Sequence, residues 1–128
     1  MYNMLENKNA EMVFASRYES DCSSDDDTLV TFVGNFFFTK LGNILFKLKI
    51  TDILYTYVVG FTDVFKDLNI QSKDFGFCVE LPIKAKKKNY KIATSKSNER
   101  ARIGGKKKVN AIRDGLLILK TMMKLFFR

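Results

Sequence analysis

Short apolar runs and long helical stripes alternate along this chain. Residues 11–16 form an apolar run that ends at Arg17, which predicts a buried strand leading into a loop. Residues 90–94 predict a second strand, and residues 50–59 are rich in the β-branched and aromatic residues typical of extended backbone. The polar stretch 19–28 between these segments predicts a loop.

Apolar residues at helical spacing predict two long helices, at residues 29–48 and 109–126. A short helix is expected near residues 64–68, and another over residues 75–88, where Pro82 fits only if the helix begins near residue 80. The apolar stripe of the last helix consists of Val109, Ile112, Leu116, Leu119, Met123 and Phe126.

The first long helix is just long and apolar enough to span a membrane, because Lys40 is its only charged residue before Phe46. Asn35, Thr39 and Asn43 nevertheless follow one another at four-residue spacing and draw a polar stripe along one face. This stripe favours a helix that lies on a core or half in a membrane interface. Asp27 or Thr28 is expected to cap its start.

The alternation of strands and helices predicts an α/β fold. The strands at 11–16 and 90–94 are expected in or beside one sheet, with the two long helices packed against it. A chain of 128 residues without repeats or linkers is the usual size of one domain, so residues 1–128 are interpreted as a single domain.

The net charge of +8 is concentrated in the second half of the chain. Residues 1–64 hold 5 Lys/Arg against 9 Asp/Glu, whereas residues 65–128 hold 17 against 5. Such a basic half suits phosphate groups, an anionic membrane surface or nucleic acid. Nucleic acid is the weakest of these, because Tyr90 is the only aromatic residue within the basic run 84–91 and residues 106–108 contain none.

The composition excludes several kinds of chemistry. The chain has no His, which rules out HExxH zinc sites and Ser-His-Asp triads. Cys22 and Cys78 are the only cysteines and no secretory signal is recognised, so we expect no disulfide framework and a reducing, cytoplasmic location.

Three groups of residues are candidates for a site. The run 99–108 combines Arg, Lys and two glycines in the way that phosphate loops do, although a solvated basic loop has the same composition. Residues 25–27 contain an Asp-x-Asp pair, but in this Ser-rich loop a helix cap or a solubilising role is favoured over a metal site. Glu80 is either a surface partner of Lys84 or a site carboxylate.

Six segments in a fixed order, spanning nearly all of residues 10–128, resemble the C-terminal part of family 2 glycosyltransferases, in the branch of dolichol- and polyprenyl-phosphate sugar transferases. These segments are Val13-Phe14-Ala15-Ser16-Arg17-Tyr18, Asn43 on an apolar helix, Thr51-Asp52, Gly76-Phe77-Cys78-Val79-Glu80-Leu81, Gly105-x-Lys107-Lys108-Val109 and Asp114-Gly115-Leu116.

The resemblance implies an incomplete GT-A fold that lacks the half carrying the nucleotide pocket and the Asp-x-Asp metal ligands. The full-length enzyme would use a nucleotide-sugar donor, a divalent metal (Mg or Mn) and a polyprenyl-phosphate or other lipid or glycan acceptor. We therefore expect a fragment of a longer reading frame that is inactive alone. Its expected location is peripheral, on the cytoplasmic face of the membrane, with residues 109–128 as an amphipathic interface helix.

The matching positions imply roles for single residues. Arg17, Arg100, Arg102, Lys107 and Lys108 would bind phosphate, with Lys107 standing where the family has Ser. The catalytic residues are unknown, and the carboxylate candidates are Glu80 and Asp52. A function of another class, a non-catalytic basic module that binds a membrane surface or nucleic acid, stays open as the alternative.

Overall fold

The computed structural model describes residues 1–7, 10–105 and 109–128. Its strands and helices, in chain order, are α1 (Tyr2–Glu6), β1 (Met12–Ser16), α2 (Leu29–Phe46), β2 (Val58–Gly60), α3 (Thr62–Leu68), α4 (Phe77–Lys87), β3 (Ile92–Lys96) and α5 (Ala111–Phe126).

The three strands form one small mixed sheet in the order β2-β1-β3. β1 pairs antiparallel with β2, placing Val13 opposite Val59, and parallel with β3, placing Val13 opposite Ala93. Every residue of β1 is buried, as its apolar run predicts for a central strand. The α/β prediction is confirmed, and so is the placement of the strands near 11–16 and 90–94 in one sheet.

Helix α4 lies between the sheet and the two long helices. Its Leu81 and Ala85 pack with Met12 and Phe14 of the sheet. Its other side joins a second core cluster with residues of α2, α5 and the segment after α2, namely Phe38, Phe46, Leu48, Ile50, Ile53, Val79, Ile83, Ile118, Met122 and Leu125. The long helices therefore flank the sheet mainly through α4 and each other, instead of packing directly on it as expected.

Helix α2 begins and ends at sequence signals. Thr28 is its N-cap and accepts a hydrogen bond from the Thr31 amide, as expected from the sequence. The helix ends at Phe46, two residues before the predicted end, because Lys47 adopts a left-handed conformation (φ 54°). Leu48 is still buried in the core, which explains why the apolar pattern continues past the helix.

Helix α4 lies within the predicted range 75–88, but the condition placed on Pro82, a helix start near residue 80, is not met. It begins at Phe77, so Pro82 lies inside the helix, where it cannot donate a hydrogen bond. Pro82 is fully buried, and its neighbours Val79 and Ile83 are 0 % exposed. Burial of these side chains offsets the missing backbone bond.

Helix α5 buries a different face from the predicted stripe. Ile118, Met122 and Leu125 face the core, whereas Ile112 and Leu116 are 78 % and 63 % exposed. The helix thus carries two apolar sides, and the periodicity alone does not show which of them meets the core.

Candidate functional site

Arg17 lies at the carboxyl end of β1, where the strand opens into a loop. Its Nε and Nη2 donate to the two oxygens of Asp52 at 2.8 and 3.1 Å, and Nη1 donates to Oε2 of Glu99 at 3.0 Å. The side chains of Arg17 and Asp52 are 11 % and 0 % exposed. Burial alone would lower the pKa of Arg17, but Asp52 and Glu99 raise it above its usual value, so the guanidinium stays charged.

Asp52 is held from the other side by the polar stripe of α2. Asn35 donates to its Oδ1 at 2.7 Å and accepts the Leu54 amide at 3.0 Å. Thr39 accepts the Ile53 amide at 3.1 Å. Asn35 and Thr39 therefore point into the protein and fix the segment after α2, while Phe38 and Phe46 join the core and many of the other apolar side chains of the helix lie on the outside.

Two tyrosines cover the guanidinium of Arg17. The ring centroids of Tyr55 and Tyr18 lie 4.6 and 5.3 Å from its Cζ. The Tyr18 hydroxyl donates a short hydrogen bond to Asp27. Burial, followed by the bond to Asp27, raises the pKa of Tyr18. Both rings pack against the guanidinium and so help to position Arg17.

A cavity of about 210 Å³ opens beside Arg17, between α2 and the start of α5. Because β1 and β3 are parallel, their carboxyl ends meet at this edge of the sheet, the usual place for ligands in α/β proteins. Both charged and apolar residues line the cavity. Its lining includes Arg17, Asp26, Asp27, Glu99, Arg102 and Asp114 together with Val30, Phe38, Leu54, Phe75, Cys78, Val109 and Ile118.

The acids of this cavity are already engaged. Asp114 accepts the Asn110 amide at 2.7 Å and so completes the cap of α5. Asp27 accepts from Thr28, Thr31 and Tyr18, which makes it part of the helix start, as favoured over a metal site. Arg102 is the most accessible charged side chain of the cavity, because it is about half exposed. Among the described residues it forms one ion pair, with Asp26 at 3.3 Å.

The structure brings some of the predicted phosphate-binding residues together. Arg17 and Arg102 line the same cavity, whereas Arg100 is exposed and does not line it. Lys107 and Lys108 lie outside the described residues. Arg17 has five N–H donors in its side chain and uses three of them on Asp52 and Glu99.

Glu80 lies away from this cavity, on α4. Its oxygens accept the amides of Gln71 and Ser72 at 2.9 and 2.7 Å, and Lys84 lies 2.6 Å from Oε1. Burial alone would raise the pKa of Glu80, but the bonds from Lys84, Ser72 and Gln71 lower it to about 2. The predicted pairing with Lys84 is confirmed, although the pair is buried and holds a loop instead of lying on the surface.

The outer sides of α2 and α5 form an exposed apolar face. We use this name for Leu29, Val30, Phe32, Val33, Phe36, Phe37 and Ile44 of α2 with Ile112, Leu116, Met123 and Phe126 of α5, all of them exposed. The two helices pack side by side, with the rings of Phe46 and Phe126 in edge contact at 6.0 Å. Within residues 1–7, 10–105 and 109–128, α2 is the one helix that is long and apolar enough to cross a membrane. Its hydrogen bonds to residues 50–54 nevertheless tie it to the rest of the domain.

The apolar face carries charges of one sign. The segments 29–49 and 111–128 contain a single acid, Asp114, which is buried. Their exposed cations are Lys40, Lys47, Lys49, Arg113, Lys120, Lys124 and Arg128.

The divalent metal implied by the resemblance has no ligand set within residues 1–7, 10–105 and 109–128, where no three carboxylates or cysteines converge. The described residues thus do not fit such an ion.

The sequence analysis did not predict that Asn35, Glu99 and Tyr55 contact the Arg17–Asp52 pair and hold it in place. For Asn35 the polar stripe was a signal, but its partner lies 17 residues away.

Comparison with protein-family models, with curated proteins and with solved structures finds no match for the chain.

Proposed function

We propose that this chain is the acceptor-side half of a family 2 glycosyltransferase with a GT-A fold. The whole enzyme would transfer a sugar from a nucleotide-sugar donor to a polyprenyl-phosphate or other lipid or glycan acceptor, on the cytoplasmic face of a membrane. One observation carries the proposal: the cavity that contains Arg17 and Arg102 opens beside the apolar face.

A lipid phosphate needs both of these surfaces at once. Its hydrocarbon chain requires apolar contact, and its phosphate requires cations in a place from which water is partly excluded. Val30 belongs to the apolar face and also lines the cavity. A lipid lying along α2 would thus bring its headgroup to Arg102.

Arg102 is the residue best suited to bind the acceptor phosphate. Its side chain is 43 % exposed, and the ion pair with Asp26 is long at 3.3 Å, so exchange of Asp26 for phosphate costs little. Arg17 lies behind it, but Asp52 and Glu99 already balance its charge, so the cation for the phosphate comes from Arg102. A phosphate oxygen is already anionic as a nucleophile, so the chemistry needs no general base, in agreement with a chain that has no His.

The alternative, a basic module without catalysis, shares the exposed cations and the apolar face. It predicts attraction to any anionic surface and no preference for a polyprenyl phosphate. The two functions therefore differ in their response to headgroup chemistry at constant surface charge.

Co-sedimentation with phosphatidylcholine vesicles tests this difference. One set contains polyprenyl phosphate, a second contains uncharged polyprenol, and a third contains phosphatidylglycerol that matches the surface charge of the first. We expect the tightest binding to polyprenyl phosphate. Arg102→Gln should weaken it about tenfold, the value of one charge-assisted hydrogen bond.

Lys86→Gln is the matched control, because it removes the same charge from an exposed residue of α4 that lies outside the cavity. Equal binding to polyprenyl phosphate and phosphatidylglycerol, with equal losses in both variants, would overturn the transferase proposal in favour of the basic module.

A further inference from the structure

A second cleft, which we call the basic cleft, lies along α5. It has a volume of about 370 Å³ and is bounded by the loop 71–74 and by α5. Its cationic lining residues are Lys73, Lys120, Lys124 and Arg128. It shares no lining residue with the cavity of Arg17.

The four cations of the basic cleft form no ion pair within the part of the chain that the structure describes. Of the two acids that line the cleft, Glu80 is balanced by Lys84 and Asp74 offsets one of the four cations, so an excess of positive charge remains. Glu80 is bound to Lys84 and to two backbone amides, and Asp74 accepts the Gly76 amide at 2.8 Å. The excess positive charge around the cleft repels itself, and an anion placed there lowers that repulsion.

The walls of the basic cleft are fixed. Glu80 holds the amides of Gln71 and Ser72, which ties the loop to α4. Gly76 ties the same loop to α5, because a Cβ at this position would lie 2.4 Å from Oγ1 of Thr121. Such a close approach is open only to glycine. The cleft is therefore part of the fold and does not need a ligand to form it.

We infer that the basic cleft binds a phosphate group, with Lys120, Lys124 and Arg128 contributing from α5 and Lys73 from the loop. Phosphate suits this lining because it accepts several charge-assisted hydrogen bonds at once. Its two sources are a lipid headgroup and a free phosphate. Lys120 and Lys124 lie along α5 beside Leu116 and Met123 of the apolar face, which puts the cleft at headgroup level when that face contacts lipid.

Titration of the ¹⁵N-labelled chain with inorganic phosphate tests the site itself. We expect the amide signals of Gln71, Ser72 and Thr121 to shift together with one dissociation constant. The double variant Lys120→Gln/Lys124→Gln should weaken binding about tenfold or more, and Lys86→Gln/Lys91→Gln, which removes the same charge elsewhere, should leave it unchanged. Shifts confined to residues around Arg17 and Arg102 would overturn the inference.

Vesicles distinguish the two sources. At matched surface charge, tighter binding to phosphatidylcholine vesicles containing phosphatidic acid than to those containing phosphatidylglycerol, lost in Lys120→Gln/Lys124→Gln, identifies a lipid phosphomonoester. Amide shifts with inorganic phosphate but no such preference identify a free phosphate. If neither appears while polyprenyl phosphate still binds through Arg102, the inference fails and the proposed function stands.

Discussion

Asp52 accepts three hydrogen bonds from Arg17, from its backbone amide at 3.1 Å, from Nε at 2.8 Å and from Nη2 at 3.1 Å. This pair joins the end of β1 to the segment that follows α2. Glu99 extends it to the segment after β3, since Nη1 of Arg17 donates to its carboxylate. The cavity edge is thus built around one buried cation whose partners lie 35 and 82 residues away.

Asp52→Asn should destabilise the fold strongly. The amide keeps the shape of the side chain but removes the charge and replaces one acceptor with a donor, which faces the N–H groups of Arg17. Breaking a buried ion pair by changing one partner costs about 3 kcal/mol or more. Urea unfolding monitored by circular dichroism gives the change in the free energy of unfolding.

Asp63→Asn is the control for this variant. Asp63 pairs with Lys66 at 3.9 Å, but its side chain is 98 % exposed. An exposed pair of this kind contributes little to stability, so its unfolding midpoint should stay at the wild-type value. An Asp52→Asn variant that unfolds at the same urea concentration as Asp63→Asn and the wild type would show that the Arg17–Asp52 pair does not stabilise the fold.

Glu80 should make the free energy of unfolding decrease as the pH falls. Its pKa in the folded protein is about 2, below its ordinary value of 4.5. A lowered carboxyl pKa stabilises the fold above the unfolded value, and this contribution disappears as the pH falls from about 4.5 to about 2. The difference corresponds to about 3 kcal/mol at neutral pH.

Urea midpoints of the wild type and of Glu80→Gln, measured from pH 7 to pH 2, test this prediction. The two curves should be separated at neutral pH and converge towards pH 2. Glu6→Gln on the exposed side of α1 is the control and should follow the wild type throughout. Parallel curves for wild type and Glu80→Gln at every pH would contradict the prediction.

Local signals in the sequence predict much of the fold. The apolar run before Arg17 predicts β1, and Thr28 predicts the start of α2, because both depend on residues that are close in the chain. The pairing of Glu80 with Lys84 follows in the same way from helical spacing.

The parts that escape prediction depend on distant partners. Asn35 and Thr39 look like a solvent-facing stripe, yet they are buried because Asp52, Ile53 and Leu54 lie across from them. Helical periodicity gives the spacing of a face, but not whether water or the core lies beside it. For the same reason the predicted stripe of α5 turned out to be its exposed side.

A deletion of the C-terminal residues is not a clean test of whether α5 contacts a membrane. Deletion of residues 114–128 would remove Ile118, Met122 and Leu125 from the core together with the exposed stripe. Loss of vesicle binding by such a shortened chain would then report unfolding. Substitution of exposed residues separates the two effects.

The Cys78 thiol should react slowly with alkylating reagents near neutral pH. Burial raises its pKa to about 11, so only roughly 0.1 % is thiolate at pH 8. In a Cys22→Ser variant, the rate of alkylation by iodoacetamide should keep rising with pH beyond pH 9, as followed by mass spectrometry. A rate that levels off below pH 9, with circular dichroism showing an intact fold, would contradict the assignment.

Phe36 and Phe37 should anchor the chain on anionic membranes. They are 58 % and 54 % exposed on the outer side of α2, where Lys40 is the only charged neighbour within the helix. Transfer of their exposed halves into lipid contributes about 2 kcal/mol in total, so Phe36→Ser/Phe37→Ser should weaken partitioning roughly thirtyfold. Binding of the wild type should also fall with added salt, because salt screens the attraction between the surrounding Lys and Arg residues and the anionic membrane. Tyr2→Ser, which alters an equally exposed aromatic residue on α1, is the control for vesicle co-sedimentation. If both variants bind vesicles as the wild type does, the apolar face is not the surface that meets the membrane.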